Sequence, residues 1–202
     1  MLAATFAPPI AFTILVALAC GIALAELWDL RRAGIAAAVE LVLLLAGIAA
    51  LLSLRALGDR GAAHGAAAGL PVWLLLAIGA TWAADVGAYV VGSLAGKRKI
   101  APRVSPGKTW EGTFGGVGAA ALAVLGISAL FGLGRPEAAA AAILSGPVAF
   151  AGDLAESWLK RRAGVKDSGT LFPGHGGMLD RIDSLLAVAP VVVALTIAAG
   201  LG

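Results

Sequence analysis

LPVWLLLAIGATWAADVGAYVVGSLA, residues 70–95, is a run of apolar and small side chains broken by one charge, Asp85, and followed after Gly96 by Lys97, Arg98 and Lys99. About 20 helical residues cross the roughly 30 Å hydrocarbon core of a bilayer, so this run is long enough to span. Lipid offers the backbone no hydrogen-bonding partner, and a spanning segment of this kind must therefore be a helix. The same alternation of long apolar run and short charged cluster recurs along the chain. It predicts spans at about Leu2–Ala25, Ala33–Leu54, Leu70–Ala95, Thr113–Leu133, Ala138–Leu154 and Ser184–Leu201.

Composition agrees. The 202 residues are 60% hydrophobic and 13% charged, with a mean hydropathy of +0.94; a soluble domain is usually about 25% charged. The surplus belongs against lipid and neighbouring helices. Small-residue spacings such as Gly92/Gly96 and Gly112/Gly116 suit close helix packing. The lone cysteine, Cys20, permits no disulfide within the chain. His64 and His175 lack the partner spacing of a zinc site. No basic residue precedes the first run, so it does not read as a cleaved signal peptide.

Lysine and arginine placement predicts orientation. With the N-terminus outside, twelve of the fifteen basic residues fall on inner connectors, and only Arg55, Arg60 and Arg135 fall on outer ones. The expected fold is all-α: a polytopic integral membrane protein of about six transmembrane helices, N-terminus outside, with two long cytoplasmic loops, Lys97–Glu111 and Glu156–Asp183.

Two short matches are set aside. Gly107-Lys108-Thr109 ends like a phosphate-binding P-loop, but Pro102 stands where that loop needs glycine. Ser157-Trp158-Leu159-Lys160 fits a Ser-x-x-Lys acylase motif whose companion motifs are missing.

Chemistry concentrates in the second half. A carboxylate at a helix centre in the membrane costs about 2.5–3.5 kcal/mol on insertion scales. Yet Asp85, Asp153, Glu156, Asp180 and Asp183 all lie in or beside spans. If the fifth helix continues past the apolar run, Asp153, Glu156, Ser157 and Lys160 share one face. That stripe reads either as a salt-bridged helix end or as a seat for a divalent metal with its phosphates. Magnesium is commonly held by one or two carboxylates plus phosphate oxygens. Between the stripe and Asp180 lies a glycine-dense turn, Lys166 to Gly177, whose backbone can approach a phosphate closely.

Residues 157–183, SWLKRRAGVKDSGTLFPGHGGMLDRID, fill every specified position of the pattern Ser-x-apolar-Lys-Arg, Lys-Asp-x-small, apolar-Pro-x-His-Gly-Gly-apolar-x-Asp-Arg-apolar-Asp. This resembles the phosphatidate cytidylyltransferase (CDP-diacylglycerol synthase) family. Asp85 to Tyr89 is similar to its Asp-x-x-Ala-Tyr segment, and Ser105 to Gly112 to its Ser-Pro-x-Lys-Thr-Trp-Glu-Gly loop. The resemblance covers Leu70 to the C-terminus, dividing the chain into N-terminal membrane helices (1–69) and a catalytic membrane region (70–202). Many bacterial relatives are longer; if Met1 is the natural start, a compact six-helix version is expected.

The resemblance implies transfer of CMP from CTP to phosphatidic acid, giving CDP-diacylglycerol and pyrophosphate, with magnesium required and a second cation at a paired site. It implies a bacterial inner membrane, a cytoplasmic active site, membrane lipid as surroundings, a homodimer, and no nucleic-acid partner. Metal is expected at Asp153 and Asp180, with Glu156 and Asp183 beside them, and these two aspartates and Lys160 are the expected catalytic residues. Ser157 as a covalent nucleophile ranks behind direct transfer. Arg161, Lys166 and Arg181, with Lys160, are expected to hold the triphosphate, and Ser105, Lys108 and Thr109 to hold phosphate from the other loop. Asp85, Asp167, His175, Gly176 and Gly177 complete the expected substrate site. The rival readings are a transporter with Glu40 and Asp85 in an ion pathway, a structural membrane protein, and a CTP-dependent transferase acting on another lipid phosphate.

Overall fold

The computed structural model describes residues 8–60, 71–133, 135–171 and 176–198. Six long helices dominate it: α1 (Pro9–Asp29), α2 (Ile35–Arg60), α3 (Val72–Ala95), α4 (Trp110–Phe131), α5 (Arg135–Ala163) and α6 (Leu179–Ala198). By length and composition all six can cross a membrane. Large apolar side chains point outward along them, including Leu94, Leu122 and Leu130, each more than 70% exposed. Such a surface is costly in water and costs nothing in hydrocarbon.

Each apolar run has its helix, and two of the helix ends differ from the runs in a way that bears on the site. The fifth run ends near Leu154, but α5 continues about two and a half turns further to Ala163, through Glu156, Ser157 and Lys160. Its polar extension is held by an (i, i+4) ion pair between Glu156 and Lys160. Likewise α6 begins at Leu179, before its apolar run, so Asp180 and Asp183 sit in its first turns. The expected loop from Glu156 to Asp183 is thus shorter than its polar sequence implied. Helical ends supply its acids.

The other expected loop is not wholly irregular, and the fold is not purely helical. Strands β1 (Lys99–Ala101) and β2 (Ser105–Thr109) form an antiparallel hairpin with Lys99 opposite Thr109 and Ala101 opposite Ser105. Glu111, in the first turn of α4, accepts hydrogen bonds from the N–H groups of Lys97 and Arg98 at 3.0 and 3.2 Å. The Thr109 hydroxyl caps α4 by accepting from Gly112 N–H at 3.1 Å. Arg161 at the end of α5 donates to the Val104 carbonyl across the hairpin turn, at 3.1 Å. The hairpin, the C-terminal half of α5 and the start of α6 therefore lie at one end of the bundle. Glu26 near the end of α1 reaches Met178 and Leu179 at the same end.

Apolar packing runs across the 69/70 boundary. Phe12, Leu51 and Leu54 join Leu74, Leu76 and Val188 in one core, while Leu27 and Leu44 join Leu159, Leu179 and Leu186 in a second core at the polar end. Helices α3 and α4 approach most closely through small residues. A Cβ on Gly116 would lie 2.6 Å from the Ala84 carbonyl oxygen, and one on Gly112 would lie 2.8 Å from that of Ala88. Both contacts are with backbone, which cannot swing aside. Gly116→Val should therefore force the helices apart, at a cost typical of overpacking, about 1–3 kcal/mol. Gly118→Ala, whose added methyl meets nothing within 4 Å, should be neutral. Melting in detergent checks this, at roughly 2–4 °C per kcal/mol for a chain of this size.

Candidate active site

At the polar end of the bundle the helices enclose a cavity of about 450 Å³. Its acids come from three helices: Asp85 from α3, Asp153 and Glu156 from α5, Asp180 and Asp183 from α6. Its two cations are Lys108 from β2 and Lys160 from α5. Five carboxylates against two ammonium groups leave three formal negative charges in excess when all are ionised.

Lys160 is the hub. Its Nζ lies 2.8 Å from Glu156 Oε2 and 2.5 Å from Asp180 Oδ1, and all three side chains are largely buried. Asp180 has further donors on its other oxygen: Oδ2 accepts from Ser168 N–H at 2.9 Å, Gly177 N–H at 2.7 Å and the Ser168 hydroxyl at 2.9 Å. Gly176, at φ +82°, brings the backbone so close to this carboxylate that a Cβ would collide with Oδ2. The glycine-dense turn is thus wrapped around a carboxylate, and the N–H of Gly177 already has its acceptor.

Lys108 forms the second pair. Its Nζ is 2.5 Å from Asp153 Oδ2 and stands 4.8 Å over the Phe150 ring. On the other oxygen Asp153 accepts from the Ser157 hydroxyl at 3.4 Å. Asp85 lines the same space. Asp183 accepts from its neighbour Ser184 N–H at 2.7 Å. Glu156 is 1% exposed, and among the described residues its Oε1 has no hydrogen-bond partner.

Of the residues expected from sequence, Asp85, Lys108, Thr109, Asp153, Glu156, Lys160, Asp180 and Asp183 share the wall of this one cavity. Ser157 adjoins it through Asp153. Gly176 and Gly177 back Asp180. Arg161 is occupied by the carbonyls of Val104 and Val165 and lies off the wall. Ser105 is in the hairpin, also off the wall, and Lys166 and Asp167 are exposed in the loop after α5. Arg181 points toward two other cavities. His175 lies outside the described residues. Glu40, paired with Asp85 in the transporter reading, is buried in α2 and lines none of these three cavities.

Two residues escaped sequence reasoning. Ser168 lies between two carboxylates, its Oγ 2.9 Å from Asp180 Oδ2 and 3.2 Å from Glu26 Oε2. Glu26, 8% exposed near the end of α1, also accepts from Met178 N–H at 2.8 Å and Leu179 N–H at 3.0 Å, capping α6. A Cβ on Gly177 or Gly169 would sit 2.5 or 2.6 Å from its carboxylate oxygens. The paired glycine Gly177 was a visible trace of this contact; nothing in the local sequence of Glu26 was.

Among the described residues no group of three or more His, Cys, Asp or Glu side chains forms a ready-made metal cage. The site still fits a hard cation held by fewer protein ligands. Its donors are carboxylate oxygens, it is acid-rich, and one buried carboxylate oxygen is orphaned.

A family model described as the cytidylyltransferase family matches residues 10–198. Among curated proteins, a phosphatidate cytidylyltransferase of Pseudomonas aeruginosa is 50% identical over 125 residues, covering 60% of this chain and 46% of the relative. One from Haemophilus influenzae is 51% identical over 116 residues, 54% of this chain and 40% of the relative. One from Synechocystis is 46% identical over 122 residues, 58% and 41% respectively. The matched segment thus spans less than half the length of these relatives.

Glu26 has a direct test. Glu26→Ala would leave the Met178 and Leu179 N–H groups without their acceptor, and each unsatisfied buried group costs about 1–3 kcal/mol. Amide exchange at these two positions should quicken by about tenfold or more while α3 and α4 keep their protection. Unchanged exchange would show that Glu26 does not hold this turn.

Proposed function

The chain belongs to the cytidylyltransferase family, and from that premise we propose that it transfers CMP from CTP to phosphatidic acid, releasing CDP-diacylglycerol and pyrophosphate. The observation that carries the proposal is the acid–lysine cavity, sunk between membrane-length helices and lined by the motif residues. A lipid phosphate and a nucleotide triphosphate are both polyanions, and each must reach a site with excess carboxylate.

In this reading the carboxylate oxygens would hold magnesium at Asp153 and Asp180, with Asp183 and Glu156 bordering the same space and a second cation accommodated beside it. Magnesium, when bound, supplies Lewis-acid charge neutralisation and a template for the phosphates. Asp153 and Asp180 would hold such a cation in competition with Lys108 and Lys160, which are paired with them here. A lysine that gave up its carboxylate would be free to pair with phosphate oxygens. Lys108 on the hairpin and Lys160 on α5 would then grip the triphosphate from opposite walls. Thr109, whose hydroxyl caps α4, keeps the hairpin in place beneath Lys108.

The reaction needs no strong base, because the phosphatidate phosphate is already anionic. One of its oxygens attacks the α-phosphorus of CTP; the new P–O bond forms as the bond from the α-phosphorus to the bridging oxygen breaks, and pyrophosphate leaves. Positioning and charge neutralisation carry most of such a transfer. Ser157 donates to Asp153, which suits a role in orienting that carboxylate better than one as nucleophile.

The same reading puts the cavity on the cytoplasmic side of a bacterial inner membrane with the N-terminus outside. The basic connectors support it, since the hairpin and the ends of α1 and α5 share the cavity's end of the bundle.

Asp153→Asn or Asp180→Asn should lower CMP transfer from radiolabelled CTP by more than about 10²-fold, the scale of one electrostatic stabiliser of the transition state. The protein should stay folded in detergent. Near-normal turnover in either variant would remove the metal assignment. Excess chelator should stop the wild-type reaction and added Mg²⁺ restore it; turnover indifferent to chelator would rule out an essential divalent ion.

A further inference from the structure

A second cavity, of about 420 Å³, opens between α1, α2, α3 and α6. Its wall is apolar, with Phe12 from α1, Leu51 from α2, and Leu74, Ile78 and Trp82 from α3. Arg181 is the only charged side chain on it among the described residues. Leu74, Ile78 and Trp82 stack at helical spacing over eight residues, so the slot runs about 12 Å along α3. A third, smaller space of about 230 Å³ lies between the two cavities. It shares Trp82 and Arg181 with the slot, and Asp85, Asp180 and Asp183 with the acid cavity.

We propose that this slot holds an acyl chain of the lipid acceptor, with Arg181 at its inner mouth binding the lipid's phosphate; this rests on the lipid-phosphate reading above. The arrangement matches the amphiphile end for end. An apolar groove in a membrane favours a hydrocarbon tail, and a guanidinium at its mouth favours a phosphate, which it can bind through two parallel hydrogen bonds. An arginine at this level also keeps its charge in the polar zone while its stem lines the slot. The intervening space then passes the phosphate from Arg181 toward Asp85 and Asp183, where the nucleotide's α-phosphate is expected. Bulk lipid resting on the outside of the bundle needs no such space.

The test uses the full chain in nanodiscs. Ala19, on the α1 wall of the slot, is replaced by tryptophan to fill it. Leu18→Trp, on an outward face 60% exposed, controls for the added indole. Ala19→Trp should lower the ratio of kcat/KM for dipalmitoyl over dihexanoyl phosphatidate by about tenfold, the scale on which an apolar pocket discriminates, and Leu18→Trp should not. Equal ratios in the wild type and Ala19→Trp would overturn the slot. Independently, a phosphatidate with a photoactivatable acyl chain should crosslink to Phe12, Leu51 or Leu74, and excess phosphatidate should compete while diacylglycerol does not. Equal competition by diacylglycerol would overturn the role of Arg181. CMP transfer with crosslinks confined to outward faces would sink the slot and leave the reaction standing. Slot crosslinks without CMP transfer to any phosphatidate would support the slot and sink the reaction.

Discussion

Lys160 holds two buried carboxylates on different helices, Glu156 on its own and Asp180 on the next, and the polar end of the bundle is arranged around that bridge. Each carboxylate alone would be expensive at this depth, and removing one partner of a buried pair typically costs about 3–5 kcal/mol because the other charge is left uncompensated. The bridge ties α5 to α6 at the point where the chain turns between them. Asp180, fixed on one oxygen by the lysine, uses its other oxygen to order Ser168 and Gly177. Glu26 closes the far side of the same turn from α1. A single electrostatic requirement thus propagates through three helices and a loop.

That dependence explains why the turn is rich in glycine. Glycine-dense stretches near phosphate chemistry invite a reading in which bare N–H groups await a phosphate. Here a side chain on Gly169, Gly176 or Gly177 would strike Glu26 or Asp180 instead. The small residues let the backbone close on carboxylates, and the carboxylates in turn set the lysine that faces the cavity. Nucleotide contact would then come from side chains held in place by the turn.

Much of this was legible in the chain. Six apolar runs became six helices, because lipid leaves a spanning segment few alternatives, and Gly112 and Gly116 proved to be the close approach between α3 and α4. Asp85, Lys108, Thr109, Asp153, Glu156, Lys160, Asp180 and Asp183 met in one cavity, while Ser105, Arg161 and Arg181 did not line it. What was not legible depended on distant partners. Glu26 lies 142 residues from Ser168 and 153 from Leu179, and no local spacing marks it apart from an ordinary acid near a helix end. Arg161 sits beside Lys160 in sequence, yet the helix turns it about 100° away, toward the hairpin. Hydropathy reports where lipid contact ends, so it left open whether α5 continued past Leu154; the shared face of Asp153, Glu156, Ser157 and Lys160 depended on that continuation, and the helix does run on to Ala163.

The N-terminal helices belong in the same account. The motifs begin at Leu70, but the family match runs from residue 10 to 198 and takes in both N-terminal helices. Packing ties them in as well, since both apolar cores cross the 69/70 boundary and Glu26 caps the helix that carries Asp180. α1 and α2 also contribute walls to the apolar slot that leads toward Arg181. A carboxylate cluster inside a membrane protein has to be neutralised, ordered and reached by substrate. Here α5 and β2 supply the neutralising lysines, while α1 supplies order and one wall of the neighbouring apolar cavity.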